Sequence, residues 1–313
     1  AGDWRGVTEV WRNAVETYAL EDYNVSVQWI LSLTRIHDFE GAIGAYQAAL
    51  EFTPDRSGIG AYVDTGGLAR LRNLRDSILD AFAMVGRSED AVELGRELVQ
   101  ETPDNPYTWY RLAILLALSE DRAGYRDHCR RMKQQFANSP DELPLWMVCA
   151  ACLFGQDGEL TQLAQNTLAQ SDVMKKTPEN PILRSATLWT RAMLALRQGE
   201  AKMAIEHQQN SAKCIFIAPV DSPDLKEPPQ TTKEVGAMMG PQELQTIRAK
   251  HLAMISLAQH QLNQSQKARA LLRQSEEIFN SLEKDNPDTH YDRLEYQLLV
   301  REARRALGVP GKN

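Results

Sequence analysis

The sequence lacks any apolar run long enough to cross a membrane, which takes about 18 or more residues. Its longest apolar run, Leu112–Leu118, fits a buried helix. An excess of basic charge is also lacking, because 35 Lys and Arg are interspersed with 42 Asp and Glu for a formal net charge of −7. Nucleic-acid binding needs a basic face that releases counterions, so we expect no nucleic-acid partner and no membrane segment.

Cysteine is scarce, with four in 313 residues, all within helical patterns. An even count does not make a disulfide framework in a chain this long, so we predict free thiols and a cytoplasmic location. Cys149 and Cys152 form a C-x-x-C pattern, which leaves a metal or redox hypothesis open. Redox pairs begin a helix that follows a strand, whereas these two lie inside an apolar helix, which favours small packing residues.

Sequence signatures of catalysis are absent from this chain. There is no Gly-rich kinase loop, no H-R-D, no D-F-G, no Walker Gly-Lys-Ser, no G-x-S-x-G and no H-E-x-x-H. The six histidines also show no clustered spacing of the kind that a metal site needs. We therefore predict that this chain is not an enzyme and has no catalytic residues, no cofactor and no metal.

The chain does carry helical periodicity with almost no strand signal, which predicts an all-α fold. Small, aromatic and proline residues recur within it at a fixed spacing. The two clearest copies are formed by Phe39, Ala42, Tyr46, Ala49 and Pro54, and by Gly86, Ser88, Ala91 and Pro103. A period of about 34 residues predicts stacked helical hairpins, which usually form a binding surface.

The pattern divides the chain into three parts. Residues 1–217 are predicted to form helical repeats, 218–242 a Pro-rich insertion, and 243–313 a final hairpin followed by a last helix. That last helix, about Asp292–Leu307, is rich in Arg and Glu, which predicts a cap on the exposed end of the array. Because the chain opens in mid-hairpin without an initiator Met, we expect it to be a fragment of a longer protein.

These residues resemble tetratricopeptide repeats over most of the chain. The resemblance is strongest in the first full unit, in the unit that ends at Pro103 and in the unit that contains Gly199. It implies a right-handed superhelical solenoid of about six hairpins with a C-terminal capping helix. The sequence departs from the family pattern at His37, which stands where the turn Gly is expected, and at His128 and Gln162, which replace the small residue of a second helix.

One stretch has a narrower resemblance. The sequence TWYRLAILLALSEDRAGYRDHCRRM is similar to the repeat regions that follow the kinase domain in planctomycete-type bacterial serine/threonine protein kinases. The resemblance implies an accessory or regulatory module whose catalytic half is not in this chain.

The candidate site is the inner face of the first helices. If Trp109 is the family's aromatic position, the residues that face the concave side are Tyr107, Tyr110, Ile114, Met147, Phe154, Trp189 and Met193. An apolar, aromatic and Met-bearing groove would accept a helix or an extended peptide, although a register shift of one residue would make these positions ordinary core.

We therefore predict a non-catalytic scaffold that binds a protein or peptide partner. A homo-oligomerisation module is the alternative, and a small-ligand sensor with its site in the superhelix bore is a third reading. The insertion 218–242 could also fold back into the groove, placing Val220, Leu225, Met238 and Met239 against the aromatic face.

Overall fold

The computed structural model describes residues 6, 8–13, 23–36, 38–52, 65–137, 139, 142–170, 181–215, 241–282 and 290–310. These ranges contain helices and no strands, which confirms the predicted all-α class. The helices with defined bounds are α1 (Tyr23–Arg35), α2 (Phe39–Phe52), α3 (Thr65–Met84), α4 (Ser88–Glu101), α5 (Pro106–Leu118), α6 (Arg122–Phe136), α7 (Glu142–Cys152), α8 (Gly158–Gln170), α9 (Pro181–Arg197), α10 (Ala201–Ile215), α11 (Pro241–Gln261), α12 (Ser265–Leu282) and α13 (His290–Leu307).

Helices α1 to α12 form six consecutive hairpins. The two helices of a hairpin contact each other in α1–α2, α5–α6, α7–α8, α9–α10 and α11–α12. In α3–α4 the Arg75 guanidinium pairs with the Glu97 carboxylate at 2.7 Å. We call the odd-numbered member of each pair the first helix and the even-numbered member the second helix.

Neighbouring hairpins pack in a repeated way. The first helices contact each other in the pairs α1–α3, α5–α7, α7–α9 and α9–α11. The second helices α2, α6, α8 and α10 each contact the first helix of the hairpin that follows. Within the second unit, the first helices α5, α7, α9 and α11 therefore lie side by side in sequence order, as in stacked helical repeats.

The turns inside the hairpins repeat at the level of backbone conformation. Gly86, Glu120, Gly199 and Asn263 have φ of 80°, 63°, 79° and 59°, and each lies two residues before its second helix begins. A residue with positive φ just after a helix lets later N–H groups bond back to its last carbonyls. Such hydrogen bonds run from Arg87 N to Phe82 O (2.9 Å), from Glu200 N to Ala195 O (2.8 Å) and from Gln264 N to Gln259 O (2.9 Å).

We expect Gly199→Ala to lower the free energy of unfolding by about 1–2 kcal/mol, because a Cβ is disfavoured at positive φ. Nothing lies within 4 Å of the position a Cβ would take, so this cost comes from the backbone alone. The matched control is Gly158→Ala, since Gly158 opens α8 in equally open space and has no positive φ. Urea denaturation measures both variants, and equal losses in the two would contradict the prediction.

We call the third residue after the start of a second helix the close-packing position, because it is a fully buried alanine in four of these helices. It is Ala42 in α2, Ala91 in α4, Ala204 in α10 and Ala268 in α12, all at most 1% exposed. In α6 this position is taken by Tyr125.

His128 and Gln162 do not occupy this position in their helices. In α6 and α8 the close-packing position falls on Tyr125 and Thr161, three residues before His128 and one before Gln162. Gln162 is exposed, and its amide hydrogen-bonds to Asn166 on the same helix. The third departure, His37, lies outside the described residues.

The chain divides into two compact units. One comprises Ala1–Leu98 with Asn286–His290, and the other comprises Val99–Asp285 with Tyr291–Asn313. The predicted insertion 218–242 lies outside the described residues as far as 240. At its end Pro241 and Gln242 already belong to α11, because proline is preorganised for the first turn of a helix.

The prediction that the last helix covers the end of the array is wrong. Besides its neighbour α12, α13 contacts the first helices α5, α9 and α11 of the second unit. From 293 to 300 its side chains are buried except for the half-buried Gln297. This stretch of α13 is therefore covered by other helices of the unit.

Candidate functional site

An aromatic row runs across three consecutive first helices of the second unit. It consists of Tyr110 on α5, Trp146 on α7, Phe154 just after α7 and Trp189 on α9. The Tyr110 ring centroid lies 5.8 Å from that of Trp146 and 5.7 Å from that of Phe154, which is 6.1 Å from that of Trp189. These separations are those of favourable aromatic pairs. The row therefore links α5, α7 and α9.

The N-terminal half of α13 lies against this row through one carboxylate. The Tyr110 hydroxyl donates to Glu295 Oε1 at 2.7 Å, and Lys250 Nζ lies 2.5 Å from Glu295 Oε2. Lys250 comes from α11, and its Nζ is 5.4 Å from the Trp189 ring centroid. The Lys250 and Glu295 side chains are only 9% and 8% exposed. The pair is therefore a buried ion pair that depends on both charges.

The C-terminal half of α13 carries a second carboxylate on the same face. Glu302 lies seven residues, about two helical turns, after Glu295. It forms a bidentate pair with Arg197 at the end of α9, in which the Nη2–Oε2 distance is 2.8 Å. Gln156 also donates to Glu302 at 2.9 Å. Glu295 and Glu302 therefore each meet a cation from a different hairpin.

Side-chain donors also satisfy the last carbonyls of the first helices. Arg301 of α13 donates to Leu118 O at 2.7 Å and to Ala117 O at 2.8 Å, at the end of α5. Arg197 donates to Leu153 O at 2.8 Å, just past α7, and Gln261 donates to Leu196 O at 3.0 Å. These carbonyls have no intrahelical partner, and a cation is favourable there. Arg301 thus fixes α13 lengthwise against α5.

The opposite side of α13 packs on α12. The Tyr296 and Phe279 rings stack with centroids 3.9 Å apart. Arg304 pairs with Glu276 at 2.7 Å, and Arg269 donates to Leu307 O at 3.1 Å. The helix is therefore held on two sides, by the inner face of the first helices and by α12.

Glu120 connects the α5–α6 turn to the exposed end of α13. It pairs with Arg305 and, at 3.5 Å, with Arg301. The hydrogen bond from Arg305 holds the pKa of the Glu120 carboxyl below its ordinary value. Glu120 adopts positive φ, so a position suited to glycine carries a carboxylate that contacts α13.

The structure brings together only some of the predicted site residues. Tyr110, Phe154 and Trp189 meet in the aromatic row, and Ile114, Met147 and Met193 do not belong to it. All six are buried core residues, at most 6% exposed. Trp109, on which this register was based, stacks on His128 with centroids 5.1 Å apart.

Tyr107 is the member of the predicted set that is accessible. It is 46% exposed and lies one helical turn before Tyr110, on the same face of α5. It lines a cavity of about 560 Å³, which is open to solvent. The cavity is formed by Asp104, Asn105, Pro106, Tyr107, Gln135, Phe136, Ser139, Leu143 and Pro144.

Sequence reasoning missed Trp146, Lys250 and Glu295. Trp146 is only half-buried and donates from its indole N–H to Ala186 O at 3.0 Å, so it joins α7 to α9. A signal for α13 was present, because Leu294, Tyr296, Leu298, Leu299 and Val300 occupy more than one face of this helix.

The cysteines of the C-x-x-C pattern are packing residues. Cys149 and Cys152 are fully buried, and the Cys149 thiol donates to Ala164 O at 3.6 Å. Burial raises the pKa of the Cys149 thiol, and a hydrogen bond with Cys129, together with burial, raises that of Cys152. Thiols held in their neutral form are poor nucleophiles. Across the part of the chain that the structure describes, no three His, Cys, Asp or Glu side chains are grouped to hold a metal ion.

The large Tyr125 side chain fits at the close-packing position because the residue that its ring contacts, Gly155, has no side chain. A Cβ on Gly155 would lie 2.6 Å from Tyr125 Cε1. The Tyr125 hydroxyl donates to Ala151 O and accepts from Gly155 N at 3.0 Å, so the buried ring is held at its far end. Burial raises the pKa of this hydroxyl, which keeps it a donor.

We expect Gly155→Ala to lower the free energy of unfolding by about 1–3 kcal/mol, because the Tyr125 ring is too constrained to move away. Gly158→Ala, three residues further on with open space around it, serves as the matched control. Thermal denaturation followed by circular dichroism compares the two variants. Equal stability of Gly155→Ala and wild type would show that the ring can shift.

Two further observations bear on the class of protein. Among the helices that the structure describes, none combines the length and apolar character needed to span a bilayer. No protein-family model matches the chain, and no curated protein matches it significantly.

Proposed function

We propose that this chain is a non-catalytic protein-interaction module of tetratricopeptide-like hairpins in a right-handed superhelical solenoid, with its partner surface on the first helices. One observation carries the proposal. The inner face of α5, α9 and α11 holds a helix, α13, through a buried tyrosine, a lysine and an arginine. A surface that pairs with the charged side chains of a packed helix in this way is suited to bind a helix in a groove.

The accessible end of this surface is the cavity beside Tyr107. Tyr107 shares a face of α5 with Tyr110, which α13 covers, and it is nearly half exposed. Exposed tyrosines next to a concave, partly apolar site are frequent anchors in protein interfaces. We propose that a protein or peptide partner, rather than a nucleic acid, makes its first contact here.

The finer proposal is that the module is the accessory repeat region of a cytoplasmic bacterial serine/threonine kinase. The resemblance of TWYRLAILLALSEDRAGYRDHCRRM to such regions supports it. In that role the module would recruit a substrate or regulator to a catalytic domain carried elsewhere in the protein.

Partner capture from an extract of the source cells tests the proposal with two matched variants. Tyr107 and Met203 are 46% and 45% exposed, and they lie on a first and a second helix respectively. We expect Tyr107→Ser to lose most of the captured partner and Met203→Ser to retain it. If the two variants captured equal amounts of the partner, the partner would bind at a surface other than the cavity beside Tyr107.

Homo-oligomerisation is a second candidate, favoured by the contacts of α13. Residues 283–289, between α12 and α13, read EKDNPDT and contain no apolar side chain. In a dimer, two copies of the chain could exchange their α13 helices, and each α13 would then form the same ion pairs and hydrogen bonds with the other copy. Such domain swapping is a low-cost route to a dimer. Light scattering over a range of protein concentration distinguishes the two: a monomer throughout favours a foreign partner.

A further inference from the structure

We infer that the open cavity beside Tyr107 binds an arginine side chain of a foreign protein or peptide, with Asp104 as its counter-charge and the Tyr107 ring as its stacking surface. This site rests on the proposed interaction function and names the side chain that the partner brings to the cavity. The charge, the anchoring and the apolar walls of the cavity each point to this occupant.

The wall of the cavity carries a negative charge that the chain leaves unbalanced. Of the nine described residues that line it, Asp104 has a carboxylate and none is Lys, Arg or His. Asp104 is exposed, and its Oδ1 accepts a hydrogen bond from the Gln135 side-chain amide at 3.2 Å. Within the part of the chain that the structure describes, no ion pair joins this carboxylate to a cation. A cavity lined by charge of one sign attracts the opposite charge, so this one is complementary to a cation.

The turn that carries Asp104 is anchored on both sides. Before it, Pro103 O accepts from the indole N–H of Trp109 at 2.9 Å. After it, the Asn105 side chain caps α5, because its oxygen accepts from Tyr107 N at 3.1 Å. These bonds hold the backbone of the turn and the start of α5 in place before a partner arrives. Binding to a preorganised surface loses less conformational freedom.

The remaining walls suit the methylene stem of a long side chain. They are formed by Pro106, Phe136, Leu143 and Pro144 beside the half-exposed Tyr107 ring. Lys and Arg side chains pack their stems along apolar surface while the charged head stays near water. The volume of about 560 Å³ lies within the range of about 300–1,000 Å³ that is usual for binding sites. The cavity therefore has room for one long side chain and an apolar neighbour in the same peptide.

Arginine fits this combination better than lysine or a metal ion. A guanidinium is planar, so it stacks on an aromatic ring and pairs with a carboxylate through several N–H groups, whereas an ammonium is a compact and strongly hydrated charge. Tyr107 and Asp104 offer a ring and a carboxylate to the same cavity. A metal ion needs several ligands, and no three His, Cys, Asp or Glu side chains are grouped for one among the described residues.

Selection from a phage-displayed library of random peptides on the full chain tests this site. Asp104→Asn removes the charge and keeps an oxygen that can accept from Gln135. The matched control is Glu277→Gln, which makes the same change of charge at an exposed position of α12 that does not line the cavity. We expect the peptides that wild type and Glu277→Gln retain and Asp104→Asn loses to share an arginine next to an apolar residue.

Fluorescence anisotropy with a labelled selected peptide measures the effect. We expect the affinity to fall about tenfold or more in Asp104→Asn, because a hydrogen bond to a charged group is lost. Replacing the peptide arginine by Gln should cause a similar loss on the wild-type chain, and replacing it by Lys a smaller one. Binding should also weaken between about 0.05 and 0.5 M salt, since the two charges meet at an open site.

Three results would overturn the arginine site: selected peptides that share no arginine, selected peptides that bind Asp104→Asn as tightly as wild type, or no peptide that requires Asp104. The Gln-substituted peptide reports on the wild-type chain, so the test holds even if a variant does not fold. A wild-type dimer that Asp104→Asn converts to a monomer in light scattering would assign the arginine to a second copy and reject a foreign partner.

The result is separable from that of the proposed function. Capture from extract that depends on Tyr107 and is unchanged in Asp104→Asn would retain the interaction function and reject the arginine. Selected arginine peptides that require both Asp104 and Tyr107, with capture that requires neither, would retain the chemistry of the cavity and reject it as the place where the captured partner binds.

Discussion

Lys250→Met is expected to lower the free energy of unfolding by about 3–5 kcal/mol, one of the largest effects of any single substitution in this chain. The Glu295 side chain is 8% exposed, and without Lys250 its carboxylate would keep the Tyr110 hydroxyl and lose the cation at 2.5 Å. A buried charge without its counter-charge is far more costly than an absent pair. Urea denaturation of the full chain measures the loss.

The matched control removes both charges. In the double variant Lys250→Met with Glu295→Leu, both members become apolar, and well-packed apolar residues often replace a buried pair at little cost. We expect it to recover most of the loss, with a residual penalty of about 1 kcal/mol from the lost hydrogen bond between Tyr110 and Glu295. If the double variant were no more stable than Lys250→Met, packing rather than charge would explain the effect.

Acidification from pH 7 to pH 5 is expected to lower the stability of the wild-type chain by about 2 kcal/mol through His251 alone. Burial lowers the pKa of this imidazole from 6.5 to about 3, and the neighbouring Lys250 charge acts in the same direction. Below pH 6.5 the His251 imidazole is protonated in the unfolded chain but stays neutral in the folded chain. The free energy of unfolding therefore falls as the pH decreases toward 3. Above pH 6.5 the ring is neutral in both states and contributes no pH dependence.

His251→Leu provides the comparison, because it removes the titrating ring from a position that is 3% exposed. The ring Nδ1 makes no hydrogen bond, so the substitution breaks none at that atom. Denaturant midpoints measured at intervals between pH 7 and pH 5 give the slope for both proteins. A slope as steep in His251→Leu as in wild type would show that other groups cause the acid sensitivity.

Helix positions could be predicted from the sequence because their signals are local. Gly199 and Ala204, five residues apart, mark a turn with positive φ and the close-packing position of the next helix. Neither requires knowledge of distant residues, since one reflects backbone sterics and the other the space between adjacent helices. Among the described residues, four of the hairpins have a turn residue with positive φ at the same place.

The residues of the inner face were predicted less well than the helices, because that prediction assumed that Trp109 occupies the aromatic position of the repeat. Tyr110, Phe154 and Trp189 do meet, but they are buried in the core, as Ile114 and Met193 are. A first helix packs against the second helix of its own hairpin on one side and against other helices on another side. A shift of one residue in the assumed register moves a side chain from one of these sides to the other. Periodicity identifies apolar positions and does not say which neighbour covers each.

The sequence by itself determined the helices, their hairpin turns and the class of fold, because these depend on contacts within about one repeat. Only the tertiary structure decided the place of α13, whose charged residues find partners up to 185 positions away, as in the Tyr110–Glu295 hydrogen bond. Arg and Glu residues suggest a solvated surface when read one at a time. Their role changes when two cations and a tyrosine from separate hairpins converge on one helix, because pairing makes burial of those charges possible.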